Sequence, residues 1–373
     1  MDHRFFSRIA GLTPALVIAH AAFAAPPQSH AVFVMTNDAE RNEIISFAVS
    51  PSGKLQDQQI YLTDGRGSGG TTDPLSSQGS LKLSTDGQWL FASNAASGTI
   101  TAFAVSGSRL FPTDKTPSGG AEPNSIAQYG NLIYVLNAAG ASSVVGFHFD
   151  AGHFSKFAGS IRYLSGTAVE PGSVAFSPNG HWLAVTEEAT PAIDIFSVGA
   201  DGTLSQATIN KDVGAGTFSA SFAPNGTLVV AETGPVGATN ASAISTYSIE
   251  SDGTLKRVTT SLPTLAAATC WEVTVDGKYV YTSNAGTSDI SGYLLAAGGS
   301  LSPIGSTLVA QLPSGSSNLD VAASANSQLL FTLNSGTGTV GVFAINQENG
   351  ALTSLGEQGH LPAGAGINGI AAY

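Results

Sequence analysis

The chain has 373 residues, of which 44 are glycine and only 11% are charged. This charge content is less than half of the roughly 25% found in average globular domains, and it favours short strands and tight turns over exposed helices. The formal net charge of −12 argues against a nucleic-acid partner, because such proteins neutralise phosphates with lysine and arginine. The negative charge also disfavours docking on an anionic membrane. Separately, we expect the protein to be a monomer.

The first residues have the layout of an export signal. Arg4 and Arg8 precede a short apolar stretch, and Ala-Phe-Ala at residues 22–24 matches the small-residue pattern of a cleavage site. A proline and a histidine interrupt the apolar stretch, which disfavours a membrane span. We therefore predict a signal peptide over residues 1–24, followed by one mature domain, residues 25–373, that is secreted or periplasmic.

One pattern then recurs seven times: an apolar run, a polar residue, a turn of small residues and a second run of β-forming residues. The copies lie 43 to 57 residues apart, a period that with β-type content is typical of a propeller. Asp-Gly and Asn-Gly turns divide each copy into four strands. The sequence therefore predicts an all-β, seven-bladed β-propeller with four-stranded antiparallel blades. The polar positions, here called the ring residues, are Asn37, Asn94, Asn137, Glu187, Glu232, Asn284 and Asn334.

Both ends of the repeat array fit a closed ring. The first copy lacks a leading strand, and the C-terminal GINGIAAY, residues 366–373, matches the leading strands of the other copies. We predict that this segment becomes the innermost strand of blade 1, which removes a free sheet edge. The longest irregular stretch, residues 63–79, matches no phosphate-binding pattern and is interpreted as a flexible loop. The alternative is a loop that overhangs a central site, with Arg66 available to an anion.

Cysteine and histidine provide few catalytic candidates. Cys270 is the single cysteine of the chain, which excludes an intrachain disulfide, and we interpret it as a small buried apolar residue. Among the histidines, only His360 falls on a blade-to-blade connection at the expected mouth, so a catalytic triad is not predicted.

In a propeller, the first strands begin and the second strands end at the same mouth of the central channel. The ring residues should therefore surround that mouth. Asparagine before small residues tolerates turn geometry, so a purely structural role stays open for the asparagines. Glutamate is a poor turn former, which makes Glu187 and Glu232 the stronger functional candidates. The starts of the first strands add Glu122, Glu170, Glu272, Asn318 and Asp320 to the expected ligand-binding set.

Two carboxylates at one mouth allow two kinds of chemistry. One carboxylate could act as a general base on water, with a pKa raised by its like-charged neighbour. Alternatively, Glu187 and Glu232 could join amide oxygens in coordinating Ca²⁺, which takes six to eight oxygen ligands. His360 is a further catalytic candidate. The residues do not separate these alternatives, and no other cofactor is required.

The blade sequences SPNGHWLAVTEEATPAIDIF and TVDGKYVYTSNAGTSDISGYLL resemble the seven-bladed lactonase family, which includes propeller-type 6-phosphogluconolactonases and fungal 3-carboxymuconate cyclases. The resemblance covers about residues 31–373 and implies lactone chemistry at the channel mouth. Members carry a P-H-x-H-like segment, which here is EPNS with Glu122 and Asn124. Their G-P-R-H segment is EPGS here, with Gly172 and Ser173 at the cationic positions.

Three further family patterns are altered. The N-E-L pattern becomes TEE, which carries over Glu187; S-N-R becomes SNA, with Ala285 for arginine; and P-R-N becomes SSN, which keeps Asn318. The loss of these cations disfavours a phosphorylated or carboxylated substrate. Two hypotheses follow. The chain is an exported lactonase-like enzyme acting on a small molecule, with Glu187 or Glu232 activating water, or it is a non-catalytic propeller that binds a glycan, peptide or protein.

Overall fold

A computed structural model describes residues 30–373 together with Met1. Apart from Met1, the predicted signal peptide lies outside the described residues. Within them, 28 strands form seven four-stranded antiparallel sheets, which confirms the predicted seven-bladed propeller. The described part contains no helix, and therefore none that is long and apolar enough to cross a membrane.

The strands follow the chain in groups of four, and each blade except the first begins with its innermost strand. Blade 1 receives β1 (His30–Met35), β2 (Glu43–Val49) and β3 (Leu55–Leu62). Blade 2 contains β4 (Leu81–Leu83), β5 (Trp89–Asn94), β6 (Thr99–Ser106) and β7 (Arg109–Pro117). Blade 3 contains β8 (Ala121–Tyr129), β9 (Leu132–Ala139), β10 (Ser143–Asp150) and β11 (His153–Tyr163). Blade 4 contains β12 (Pro171–Phe176), β13 (Trp182–Glu187), β14 (Ala192–Ser197) and β15 (Thr208–Lys211).

The remaining three blades repeat this order. Blade 5 contains β16 (Thr217–Phe222), β17 (Leu228–Glu232), β18 (Ala243–Ile249) and β19 (Leu255–Pro263). Blade 6 contains β20 (Thr269–Val275), β21 (Tyr279–Asn284), β22 (Asp289–Leu295) and β23 (Leu301–Gln311). Blade 7 contains β24 (Asn318–Ala323), β25 (Leu329–Asn334), β26 (Thr339–Ile345) and β27 (Leu352–Gln358). The last strand is β28 (Ile370–Ala372).

Strand β28 closes the ring as predicted. It pairs antiparallel with β1, with Val32 opposite Ala372 and Val34 opposite Ile370. Blade 1 thus takes its innermost strand from the end of the chain, in the order β28-β1-β2-β3. Blades then pack face to face, and a core shared by blades 1 and 7 includes Val32 and Phe331. Because a single blade cannot bury its own apolar faces, this stacking stabilises the whole array.

The connection over residues 63–79 is only partly a surface loop, which corrects the expectation of a flexible segment. Residues 75–79, here called the axial plug, enter the central channel. The backbone N–H of Gln78 donates to the carbonyl of Gly172 in blade 4 at 3.0 Å, and the Ser125 hydroxyl of blade 3 donates to the carbonyl of Gln78 at 2.6 Å. The plug divides the axis into an upper mouth, where the first strands begin, and a lower cavity, where they end.

Candidate functional site

The seven ring residues are all buried, with no side chain more than 1% exposed. Asn94 shows the common arrangement: its Nδ2 donates to the Thr101 hydroxyl of β6 at 3.0 Å, and its Oδ1 accepts from the Thr63 hydroxyl at 2.6 Å. Asn284 likewise donates to the Ser291 hydroxyl at 2.9 Å. The amides therefore bond to the third strand within the blade. In this respect the placement differs from the expected open ring around the mouth.

The other asparagines make similar local contacts. Asn37 has a left-handed φ of 52°, as expected for a turn residue, and its Nδ2 donates to the Ser68 hydroxyl at 2.9 Å. Asn334 donates to the Thr339 hydroxyl at 3.4 Å. Asn318 is also buried. The oxygen of the Asn137 amide has no hydrogen-bond partner in the described part.

Glu187 lies inside blade 4 and accepts hydrogen bonds from the backbone and hydroxyl of Ser165, at 3.0 and 2.5 Å. Thr190 donates to the same carboxylate. Asp194 lies beside it, and burial together with the charge of Glu187 raises the pKa of Asp194 to about 7. Glu187 thus accepts hydrogen bonds from its own blade and from the connection that leads into this blade from blade 3.

Glu232 occupies the matching position in blade 5. It accepts hydrogen bonds from the hydroxyls of Ser245 and, at 2.8 Å, of Ser261. Burial, followed by the charge of Asp212, raises the pKa of Glu232 to about 7. Both ring glutamates therefore have hydroxyl donors supplied by neighbouring strands or connections.

Calcium coordination by Glu187 and Glu232 would have to replace hydrogen bonds that both carboxylates accept. The two residues lie in different blades, and their oxygens accept hydrogen bonds from hydroxyl groups. Within residues 30–373, no three His, Cys, Asp or Glu side chains group in a way that could hold a metal ion. Calcium binding stays a prediction, and no step proposed below depends on it.

The upper mouth instead presents Glu188, the residue after the ring position. Glu188 is partly buried, and its carboxylate accepts a hydrogen bond from the Thr233 hydroxyl of the next blade at 3.3 Å. Burial raises the pKa of Glu188, and the charge of the exposed Glu170 adds to this effect. The Thr233 hydrogen bond opposes it, because it favours the ionised carboxylate.

Asp73, just before the axial plug, is the second carboxyl group of the upper mouth. Burial raises the pKa of Asp73 to about 7, and the charge of Glu188 raises it further. Asn368, next to the closing strand, donates from Nδ2 to the Asp73 carboxylate at 2.9 Å. Cys270 is buried nearby, as predicted, and burial raises the pKa of its thiol, with further contributions from Asp73 and Glu188. Asp73 and Glu188 are thus two carboxyl groups of the upper mouth, and the charge of Glu188 contributes to the raised pKa of Asp73.

Neither member of this pair was singled out from the sequence, although Glu188 carries a signal. When the repeats are aligned, Glu187 takes the place of Asn284, so Glu188 takes the place of Ala285. Glu188 directly follows the ring position, so it is a second candidate for the glutamate of the N-E-L pattern beside Glu187. Asp73 has no such signal, because it lies on a connection without a counterpart in the other repeats.

The remaining candidates are scattered along the molecule. Glu122 lies at the start of β8, and Glu170 directly precedes β12. Both have left-handed backbone φ values, 56° for Glu122 and 49° for Glu170. His360 is exposed, and its carbonyl accepts a hydrogen bond from Gln58 of β3, the outermost strand of blade 1, which places it at the rim.

The lower cavity holds the last two candidates. Glu272 and Asp320, expected at the same mouth as Glu170, line a cavity of about 530 Å³ below the axial plug. Burial is the main cause that raises the pKa of each to about 7. Lys82 lines the same cavity. Lys82 is exposed as a residue, but desolvation of its ammonium group lowers the pKa of Lys82, while the charges of Asp320 and Glu272 oppose that shift.

Known proteins match this arrangement at the level of sequence family and fold. The family described as "Lactonase, 7-bladed beta-propeller" matches residues 20–170 and 241–367. No curated protein matches the sequence.

Solved structures share the fold at low sequence identity. A candidate 6-phosphogluconolactonase from Bacteroides uniformis is 18% identical, with a TM-score of 0.70 over 93% of this chain and 100% of the other. A periplasmic gluconolactonase from Pseudomonas aeruginosa is 15% identical, with a TM-score of 0.65 over 90% and 97%. A virginiamycin B lyase from Staphylococcus aureus is 13% identical, with a TM-score of 0.55 over 80% and 90%.

Proposed function

Because this chain belongs to the seven-bladed β-propeller lactonase family, we propose that it is an exported hydrolase that opens an uncharged lactone at the upper mouth. The observation that carries the proposal is that the upper mouth holds two carboxyl groups in different settings, Glu188 bonded to Thr233 and Asp73 bonded to Asn368. Export is supported by the signal-like N-terminus, and a similar fold occurs in a periplasmic gluconolactonase.

The two carboxyl groups are suited to different roles. The Thr233 hydroxyl stabilises the ionised form of Glu188, so Glu188 acts as the general base that takes a proton from water. A raised pKa makes this carboxylate a stronger base near neutral pH. Asp73, with a pKa of about 7, retains a proton in roughly half of the molecules at neutral pH. Two carboxyls with different environments can thus divide acid and base work.

In the proposed reaction, water attacks the lactone carbonyl carbon as Glu188 accepts its proton. Protonated Asp73 donates a hydrogen bond to the carbonyl oxygen, where negative charge develops. The ring C–O bond then breaks, and the departing ring oxygen receives the proton held by Glu188. The product is an open-chain hydroxy acid, and both carboxyl groups return to their starting state.

The charge of the site selects the substrate class. Asp73, Glu170 and Glu188 contribute negative charge to the upper mouth, and the family's histidine and arginine positions hold Asn124, Gly172, Ser173 and Ala285. A phosphate or carboxylate on the lactone would be repelled. An uncharged sugar lactone or a simple alkyl lactone fits this potential.

The test is hydrolysis of glucono-δ-lactone and γ-butyrolactone by the mature chain, followed in a pH-stat with added Ca²⁺ and with a chelator. Glu188→Gln is expected to lower kcat at least about 100-fold, the lower range for loss of a general base, with little change in Tm. The matched control is the neighbouring Glu187→Gln, which should lower Tm and leave kcat of the folded protein near the parent value.

Unchanged turnover in Glu188→Gln would overturn the assignment of the base. Absence of turnover with every lactone, with or without Ca²⁺, would overturn the hydrolase proposal itself. That result would favour the alternative of a non-catalytic propeller that binds a glycan, peptide or protein, an alternative supported by the substituted family positions.

A further inference from the structure

The lower cavity is a separate compartment with its own polar groups. Its upper end is closed by Gln78 of the axial plug, whose Nε2 donates to the backbone carbonyl of Glu272 at 2.7 Å. The Gln78 Oε1 accepts from the backbone N–H of Glu272 at 3.3 Å. The indole of Trp271 donates to the carbonyl of Ser77 at 2.9 Å. These bonds fix the backbone of Glu272 and leave its carboxylate unused.

The Glu272 side chain lacks the partners that a buried carboxylate normally has. It is 1% exposed, and neither of its carboxylate oxygens has a hydrogen-bond partner in the described part of the chain. The Thr274 hydroxyl, which lines the same cavity, is also without a partner. The Ser221 hydroxyl lies near the Glu272 carboxylate and lowers its pKa against the effect of burial, but it forms no hydrogen bond of ordinary geometry. Because buried polar groups are almost always satisfied, each such exception calls for an explanation, and a bound donor would supply one.

An opposite charge lies across the same space. Lys82 lines the cavity, and its ammonium group has no ion pair within residues 30–373. Asp320 differs from Glu272, because it accepts backbone N–H donors from Val321 at 2.8 Å and Ile370 at 3.0 Å. In the described structure the cavity therefore holds an ammonium group and a carboxylate that form no ion pair with each other, although the charge of each shifts the pKa of the other.

We propose that the lower cavity binds a small zwitterion, with its ammonium group on Glu272 and its carboxylate on Lys82. A simple cation would satisfy Glu272 but would be repelled by Lys82. A simple anion would add charge to a cavity that already contains two carboxylates. The volume of about 530 Å³ lies within the range of small-molecule sites, and apolar side chains such as Leu83 and Val321 suit a short aliphatic spacer. The ligand class is thus an amino acid or a dipeptide.

This site is independent of the lactonase proposal, because it lies on the opposite side of the plug and shares no residue with the upper pair. The test is isothermal titration of the mature chain with glycine, 4-aminobutanoate and glycylglycine. Butylamine, butanoate and 4-hydroxybutanoate serve as single-charge controls. At least one zwitterion is expected to bind saturably, and at least tenfold more tightly than every control.

Substitutions assign the binding to this cavity. Glu272→Gln and Lys82→Met should each weaken zwitterion binding at least tenfold, whereas the exposed Glu348→Gln and the upper-mouth Glu188→Gln should leave it within twofold. If Glu272→Gln does not fold, Thr274→Val is the second variant, and it should weaken binding severalfold. Absence of saturable binding by all three zwitterions, equal binding of butylamine or 4-hydroxybutanoate, or full binding by Lys82→Met would overturn the proposal.

Discussion

Glu187 and Glu232 inside the blades differ from Glu272 on the axis less in burial than in the donors that surround them. Glu187 and Glu232 each accept hydroxyl donors from neighbouring strands or connections. Glu272 is equally buried, yet its carboxylate has no partner in the described structure. Burial raises the pKa of Glu232 and of Glu272 alike to about 7. Neither property alone therefore marks a functional group, because Asp194 inside blade 4 also has a pKa raised to about 7 and two carboxylate oxygens without a partner.

The hydroxyl groups around the ring position accept both an amide and a carboxylate as partner. In blade 2, Asn94 donates to Thr101 and accepts from Thr63, so an amide satisfies both neighbours. In blade 5, Ser245 and Ser261 both act as donors, and a carboxylate, which only accepts, satisfies them. The equivalent hydroxyl in blade 6, Ser291, instead accepts from Asn284, so a hydroxyl at this position accommodates either residue.

The largest effect should come from deleting residues 366–373. This deletion removes β28 and its pairing with β1, and it also removes the Asn368 and Ile370 donors of the axial carboxylates Asp73 and Asp320. An open ring exposes the faces of two blades, so the cooperative thermal transition should be lost in differential scanning calorimetry. If the truncated chain melts within a few degrees of the parent, neither the fold nor the placement of the axial carboxylates depends on ring closure.

An intermediate effect is expected in the pH dependence of stability. The folded-state pKa values of Asp73, Asp194, Glu232, Glu272 and Asp320 are raised to about 7. A carboxyl with a raised folded pKa stabilises the fold fully below its unfolded pKa, and this contribution is lost as pH rises through the folded value. The free energy of unfolding should therefore fall between about pH 4.5 and pH 8, as measured by urea denaturation.

Glu232→Gln tests the blade contribution to this slope. One pKa unit corresponds to about 1.4 kcal/mol, so removing the titration of Glu232 should flatten the curve by on the order of 2 kcal/mol over that interval. Glu348→Gln, on the surface, is the matched control and should leave the slope unchanged. If the free energy of unfolding of Glu232→Gln falls with pH as steeply as that of the parent, the raised pKa of Glu232 does not contribute to the pH dependence of stability.

The smallest effect should be seen at Cys270, which is buried near Asp73 and Glu188. Its thiol is buried and its pKa is raised, so little reactive thiolate forms at neutral pH. Ellman's reagent should label the native chain at least about 100-fold more slowly than the urea-unfolded chain. Rapid labelling of the native chain would indicate that the upper mouth is open to large reagents and that Cys270 is not a packing residue.

The sequence by itself determined the number of blades and the closure of the ring. Strand periodicity and turn residues act over a few positions, and seven copies of the same local pattern leave little freedom in how the blades stack. The match between residues 366–373 and the other leading strands had the same local origin. Burial of Cys270 also followed from its type and its place in an apolar run.

Only the tertiary structure decided which carboxylates meet at the axis. Glu187 and Glu188 are adjacent in sequence, but Glu187 ends β13 and accepts hydrogen bonds from Ser165, whereas Glu188 lies in the following turn and contacts Thr233 of the next blade. Asp73 and Gln78 lie on a connection that no repeat resembles, and their position depends on donors and acceptors from three or more blades. Such contacts join residues up to 295 positions apart, which local patterns cannot encode.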